Sequence, residues 1–171
     1  EELRFAERLE VAIRITDAVW YAHQHGIAHL DLKPANILFT STGSESNSDI
    51  TPKIADWGLA RMLLDHSKSV EALSPRYSAP EQVDSQTHGT PDNQTDLYQL
   101  GVIIYELLAG EHPFEGPTSQ VMHSILHETP DPPSTHAREI PAELDEIILT
   151  ALATEKADRQ EAVVYLRDGL Q

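Results

Sequence analysis

The 171-residue sequence contains no cysteine. Disulfides, thiolate nucleophiles and cysteine-ligated zinc are thereby excluded. The composition permits a reducing setting, and a cytoplasmic location is the expectation. Positive charge is also scarce. Twelve Lys and Arg stand against 28 Asp and Glu, a formal net charge of −16, and only four of the twelve are Lys. Such a surface repels nucleic acid and anionic membranes, so neither is expected as a partner. Two origins for the acidic excess are open. One is adaptation to high salt, where screening weakens self-repulsion; the other is a basic partner segment that balances it. The composition favours the first.

Long apolar runs are missing too. Residues 102–105 and 107–109 are apolar, but Glu106 interrupts them. The run falls well short of the ~20 residues that cross a bilayer. No initiator Met and no basic, then apolar, leader opens the sequence, so no signal peptide is expected. The start reads as a cut through a longer protein. Hydrophobic residues at 40% and charged residues at 23% fit one compact domain with a sizeable core.

Apolar residues Phe5, Leu9, Ala12, Ile13, Val19 and Trp20 recur at helical spacing. A long amphipathic helix is predicted over residues 3–25, with Gly26 where a C-terminal cap belongs. Residues 27–32 read as a turn into a short strand. Residues 36–39 and 53–55 read as two strands, joined by a polar hairpin loop over 40–49. Residues 56–81 show no sustained period and read as a long loop, and 84–95 as a second, polar one. Residues 96–109 form an apolar helix expected to run through the core, ended by Gly110. Helices are also predicted over 118–127, 142–153 and 160–170. The prolines at 130, 132 and 133 break the chain, and Pro141 precedes the second of these helices. The sequence is expected to fold as a mainly α bundle around a central buried helix, with one small β-hairpin. No internal repeat is visible.

The strongest chemical signal is His29-Leu30-Asp31-Leu32-Lys33-Pro34-Ala35-Asn36, followed by Asp56-Trp57-Gly58. Phosphoryl transfer needs metal ions and a cation to neutralise the moving phosphate. It also needs a carboxylate to orient the attacking hydroxyl. Mg²⁺ prefers carboxylate and carbonyl oxygens. Asp31, Lys33, Asn36 and Asp56 supply all of these from one strand–loop–strand unit.

This unit resembles the catalytic and metal-binding loops of the eukaryotic-type Ser/Thr protein kinases. Residues 74–81, Ser-Pro-Arg-Tyr-Ser-Ala-Pro-Glu, are similar to the end of the kinase activation segment. Residues 96–102 are similar to the start of the central helix of the C-terminal lobe, and His112-Pro113-Phe114 to the turn after it. Asp158-Arg159 falls where the family carries a late arginine. The resemblance covers essentially the whole sequence, in the family's order. It implies a C-terminal kinase lobe over 1–171, ATP and Mg²⁺ as cofactors, and a protein substrate. By the same resemblance Asp31 accepts the substrate hydroxyl proton and Lys33 contacts the transferring phosphate. Asn36 and Asp56 hold Mg²⁺, and Leu38 forms part of the adenine floor. Ser74 links the substrate platform to Asp31 and Lys33, His29 supports the loop, and Asp96 hydrogen-bonds the loop's backbone. Glu81 and Arg159 pair in the interior.

Departures from the family accompany these matches. No Gly-rich loop, strand lysine or helix glutamate precedes the motifs, so the N-terminal lobe is expected to be supplied in cis upstream. Leu30 replaces the arginine that usually precedes the catalytic aspartate, and Trp57 the usual phenylalanine. Ala35 offers no charge to a basic substrate. Ser67 and Ser69 are candidate phosphorylation sites, with Lys68 and Arg61 the nearby cations.

Blander readings stand beside these. Asp96 could simply cap its helix, Trp57 could be core, and Glu81 and Arg159 could be solvated. His23 with His25, or His123 with His127, have spacings a metal could use, but without a supporting constellation no such site is expected. A small-molecule phosphotransferase of the aminoglycoside-kinase type shares a His-x-Asp loop, yet lacks the Ala79-Pro80-Glu81 segment and the Asp96 helix pattern. A non-catalytic scaffold lobe is the third reading.

Overall fold

Residues 3–41, 50–57 and 74–171 are described by the structure, a computed structural model. Most of the predicted 40–49 loop lies outside the described residues. So does the middle of the 56–81 loop, with Gly58, Arg61, Ser67, Lys68 and Ser69.

Helix α1 spans Phe5–Gln24 and buries Val11, Ala12, Ile15, Thr16, Val19 and Ala22. These positions recur every three to four residues, so they share one face. Thr16, the polar member of that face, returns its hydroxyl to Ala12 O at 2.8 Å. Gly26 follows the helix at φ 72°, a conformation glycine adopts without a Cβ clash. No strand forms over 27–32. Instead the chain passes through a 3₁₀ turn, Pro34–Asn36, into strand β1, Ile37–Ser41. Asn36 therefore closes that turn and does not open the strand. Pro34, which lacks an N–H, fits the first turn position. Strand β1 pairs antiparallel with β2, Ile50–Ile54, in the register Ile37↔Ile54.

After the undescribed segment come a 3₁₀ turn, Pro75–Tyr77, and two one-turn helices, α2 (Pro80–Val83) and α3 (Ser85–His88). The predicted 84–95 loop is thus partly helical. Asp84 caps α3 by accepting from the Gln86 and Thr87 amides.

Helix α4, Asn93–Ala109, is the central element and is buried continuously from Thr95 to Tyr105. Its N-cap is Asp92, which accepts from Gln94 N at 2.8 Å, while Thr95 Oγ1 accepts from Asp92 N at 3.1 Å. Asp96 is therefore released from the capping role open to it in sequence. Around α4 pack α1, α6 (Ala142–Ala151) and the 3₁₀ turns Pro75–Tyr77 and Pro133–Thr135; α5 (Thr118–His127) lies against the Pro75–Tyr77 turn, and α7 (Val163–Gly169) against α1 and α6. The last two helices are shorter than their sequence patterns suggest, because 3₁₀ and irregular turns take up residues 152–162.

Gly101 marks a tight helix crossing. A Cβ there would lie 3.0 Å from Ala151 Cβ and 3.1 Å from Leu152 Cδ2. Gly101→Val is expected to force α4 and α6 apart. The cost is about 1–3 kcal/mol, the usual range for overpacking, read as a lower denaturant midpoint.

Gly110 ends α4 in the left-handed region at φ 77°. Beyond it His112 is buried, with Nδ1 2.8 Å from Phe114 O. The Phe114 amide also points at Nδ1, at 3.2 Å, and Nε2 is buried without a hydrogen-bond partner among the described residues. Burial, with the Phe114 contact working against it, pushes the imidazole below its ordinary value of 6.5. The folded state therefore prefers neutral His112. Its unfavourable contribution should begin as pH falls below about 6.5, where the unfolded chain takes up the proton and the folded one resists. His112→Asn should flatten that part of the stability–pH curve measured by urea denaturation between pH 7.5 and 5.5.

Candidate active site

The segment from His29 to Asn36 has no regular secondary structure before its 3₁₀ turn, so side chains and distant backbone must hold it. Asp96, fully buried inside α4, does most of this. Its carboxylate accepts from His29 N and Leu30 N, both at 2.7 Å, and meets His23 Nε2 at 2.8 Å. A buried carboxylate needs such donors to offset its lost hydration. Leu30 sits at φ 64°, which is costly for a leucine. Asp96 holds the amide of that residue, and Gln82 Nε2 holds its carbonyl at 2.7 Å.

His29 is buried and serves as a strut. Asp31 N donates to its Nδ1 at 3.2 Å, and its Nε2 lies 2.8 Å from Ala55 O. An amide can only donate and a carbonyl only accept, so His29 is the neutral tautomer with hydrogen on Nε2. It joins the Asp31 loop to the residue before Asp56. Trp57 leans edge-on against the His29 ring, 4.9 Å between centroids, and donates from Nε1 to Ile54 O at 2.8 Å. It is half-buried rather than a core residue.

Two of the sequence-predicted residues, Asp31 and Ser74, meet at the ammonium group of a third, Lys33. Lys33 Nζ donates to Asp31 Oδ2 at 2.8 Å and to Ser74 Oγ at 2.9 Å. Asn36 Nδ2 donates to Asp31 O at 2.8 Å and approaches Asp31 Oδ2 at 3.4 Å. Asp31 Oδ1 has no hydrogen-bond partner among the described residues. Ser74, 41 positions along the chain from Lys33, is thus tied to the loop. The register of β1 with β2, and the bond from Ala55 N to Asn36 O at 2.8 Å, set Asn36 and Asp56 at the same end of the hairpin. Asp56 is exposed and holds φ at 61°. Leu38 is 55% exposed and alternates with Ile37 and Phe39, so it faces away from α1.

The segment after Ser74 is anchored as firmly. Tyr77 donates its hydroxyl to Glu106 Oε2 at 2.7 Å; burial and that carboxylate both push the phenol up, so it stays a donor. Glu81 is buried and pairs with Arg159 through two bonds, 3.0 Å from Nη1 and 2.9 Å from Nη2. Arg159 also donates to the carbonyls of Ala153, Gln94 and Thr154, and lies over the Tyr98 ring. Thr95 Oγ1 adds a donor to Glu81 at 2.7 Å.

Sequence reasoning missed His23, Gln82 and Gln99. Gln99 had a signal: it is an amide inside an otherwise apolar helix.

The structure thus brings together a buried carboxylate bracketed by a lysine and an asparagine, next to the hairpin end that carries a second, exposed carboxylate. The comparisons make this specific. The family described as "Protein kinase domain" matches residues 3–168, and the chain belongs to that family. It is 34% identical over 168 residues to the serine/threonine-protein kinase PknB of Mycolicibacterium smegmatis, covering 95% of the chain and 25% of that protein. It is 37% identical over 169 residues to the serine/threonine-protein kinase Pkn1 of Myxococcus xanthus, covering 95% and 23%. The Mycobacterium tuberculosis PknI kinase domain superposes with a TM-score of 0.69 at 28% identity, over 99% of this chain and 56% of that one. The chain thus spans about a quarter of the curated relatives and about half of the solved kinase domain. Among the described residues, no helix is long and apolar enough to cross a membrane.

Proposed function

We propose that residues 1–171 are the C-terminal lobe of an ATP-dependent Ser/Thr protein kinase, acting on a protein substrate in the cytoplasm, where ATP is plentiful. The observation that carries this reading is the Lys33 ammonium bridging Asp31 and Ser74. It sets a cation beside the carboxylate that would receive the substrate hydroxyl proton. Asp31 Oδ2 is occupied by Lys33, which leaves Oδ1 to orient that hydroxyl. Lys33, the lysine typical of Ser/Thr kinases by resemblance, would stabilise charge on the moving phosphate.

The donor set fits Mg²⁺. Asn36 commits its Nδ2 to Asp31, which leaves its amide oxygen for a hard cation, and Asp56 offers an exposed carboxylate. Mg²⁺ is commonly held by one or two carboxylates together with substrate phosphates, without a full protein cage. When bound, it would neutralise and align the phosphates of ATP. Leu38 offers the exposed apolar surface for the base.

A glycine-rich phosphate clamp, with its lysine and glutamate, is absent from the 171 residues. We assign that clamp to a segment in cis outside them, in line with the partial coverage of the relatives. Residues 1–171 alone should give background transfer of labelled phosphate to a generic Ser/Thr protein. The same residues within the complete kinase domain should be active. Robust transfer by the isolated 171 residues would refute this division of labour.

A further inference from the structure

Asp31 is held from both sides by a pair of buried glutamines. The peptide before it presents the Leu30 carbonyl to Gln82 Nε2 at 2.7 Å. The peptide after it presents the Leu32 amide to Gln99 Oε1 at 2.8 Å. The two side chains bond each other, Gln99 Nε2 to Gln82 Oε1 at 3.0 Å, and Gln82 Oε1 also accepts from Ala79 N at 3.1 Å. Both residues are buried, at 8% and 2% exposure. Every direction in this chain is dictated by the backbone: Leu30 O can only accept, while Leu32 N and Ala79 N can only donate. Only an amide, with a donor and an acceptor on one carbon, satisfies either position. An acid lacks the donor, and an apolar residue strands buried backbone groups.

We infer that Gln82 and Gln99 are positioning residues, a neutral relay that fixes the orientation of Asp31. It also couples Asp31 to the Ser74–Gln82 segment. Gln82 lies one residue after Glu81, whose pairing with Arg159 ties the same segment to the helical core. Asp31 is therefore referred to the far end of the segment that brings Ser74 to Lys33. The relay contains no titratable group, so its hold on Asp31 is independent of pH over the range where the fold is stable. The catalytic part of this inference rests on the kinase reading above; the structural part does not.

The test uses the complete kinase domain containing this chain, with Gln82→Met, Gln99→Met and the double variant, which keep length and apolar packing. Amide exchange by NMR should rise at least about tenfold for Leu32 in Gln99→Met, with Val102 and Ile104 unchanged. Turnover should fall at least about tenfold in each single variant, with KM for ATP within about twofold, because a small misplacement of the acceptor acts on the chemical step. The double variant should be little worse than either single one, since one break opens the relay. Unchanged Leu32 exchange, exchange rising equally along α4, or turnover within about twofold of the parent would overturn the inference. If Gln99→Met does not fold, Gln82→Met decides through turnover and exchange of the Ala79 amide. A parent domain with no transfer activity would refute the kinase reading, and the exchange arms would still decide the relay.

Discussion

Asp31→Asn is expected to lower kcat by roughly 10²–10⁴-fold while leaving Mg²⁺–ATP affinity nearly unchanged. The substitution keeps size and shape but removes the base that orients the hydroxyl. Asp31 is bonded by Lys33 and Asn36, and among the described residues it shares no hydrogen bond with Asp56. Asp56→Asn should behave differently. It removes an exposed carboxylate that would hold a cation, so both turnover and Mg²⁺–ATP binding should weaken, the latter at least about tenfold. Calorimetric titration of the two variants with Mg²⁺–ATP, beside steady-state kinetics, separates the roles. Equal loss of affinity in both would contradict the assignment.

Arg159→Ala should destabilise the fold by about 3–5 kcal/mol, because it strands a buried carboxylate. For a domain of this size that corresponds to a melting temperature lower by roughly 6–20 °C. The estimate rests on the side chains, both 0% exposed, and on the five bonds that occupy the guanidinium. A solvated pair would contribute only about 0–1 kcal/mol. The pH dependence sharpens the test. Burial alone would raise the Glu81 carboxyl, but the Arg159 bonds and charge, with Thr95, outweigh it and hold the group below its ordinary 4.5. The pair's contribution is then full above about pH 4.5 and is lost as pH falls further, through the folded value. In Arg159→Ala the sign reverses: the stranded Glu81 prefers its neutral form, so acidification should narrow the gap between variant and parent. Replacing both residues by apolar side chains of similar volume should recover most of the loss.

The site was legible in the sequence to the extent that it is local. Asp31, Lys33 and Asn36 lie within six residues, and Asp56 follows the next strand, so chemistry and spacing appear together. The Glu81–Arg159 pair spans 78 positions and was accessible only through resemblance. Helix α4 announced itself by its apolar run, but its start did not. Asn93-Gln94-Thr95 is polar and reads as loop until Asp92 and Thr95 are seen to cap each other. Strand β1 begins one residue later than its pattern suggests, because Pro34 starts a 3₁₀ turn that Asn36 completes. Gln82, Gln99 and His23 stayed hidden for a different reason. Their partners, two backbone groups of the loop and the Asp96 carboxylate, lie 52 to 73 positions away, and even the amide of Gln99 in its apolar helix does not say which partner it serves.

The most direct measurement is transfer of labelled γ-phosphate from ATP to a generic Ser/Thr protein by the complete kinase domain containing this chain, followed by acid hydrolysis and phosphoamino-acid analysis. Label in phosphoserine and phosphothreonine, dependent on Mg²⁺ and reduced to background by Asp31→Asn, is the predicted result. No label in the parent domain, or label that survives Asp31→Asn undiminished, would contradict the kinase assignment.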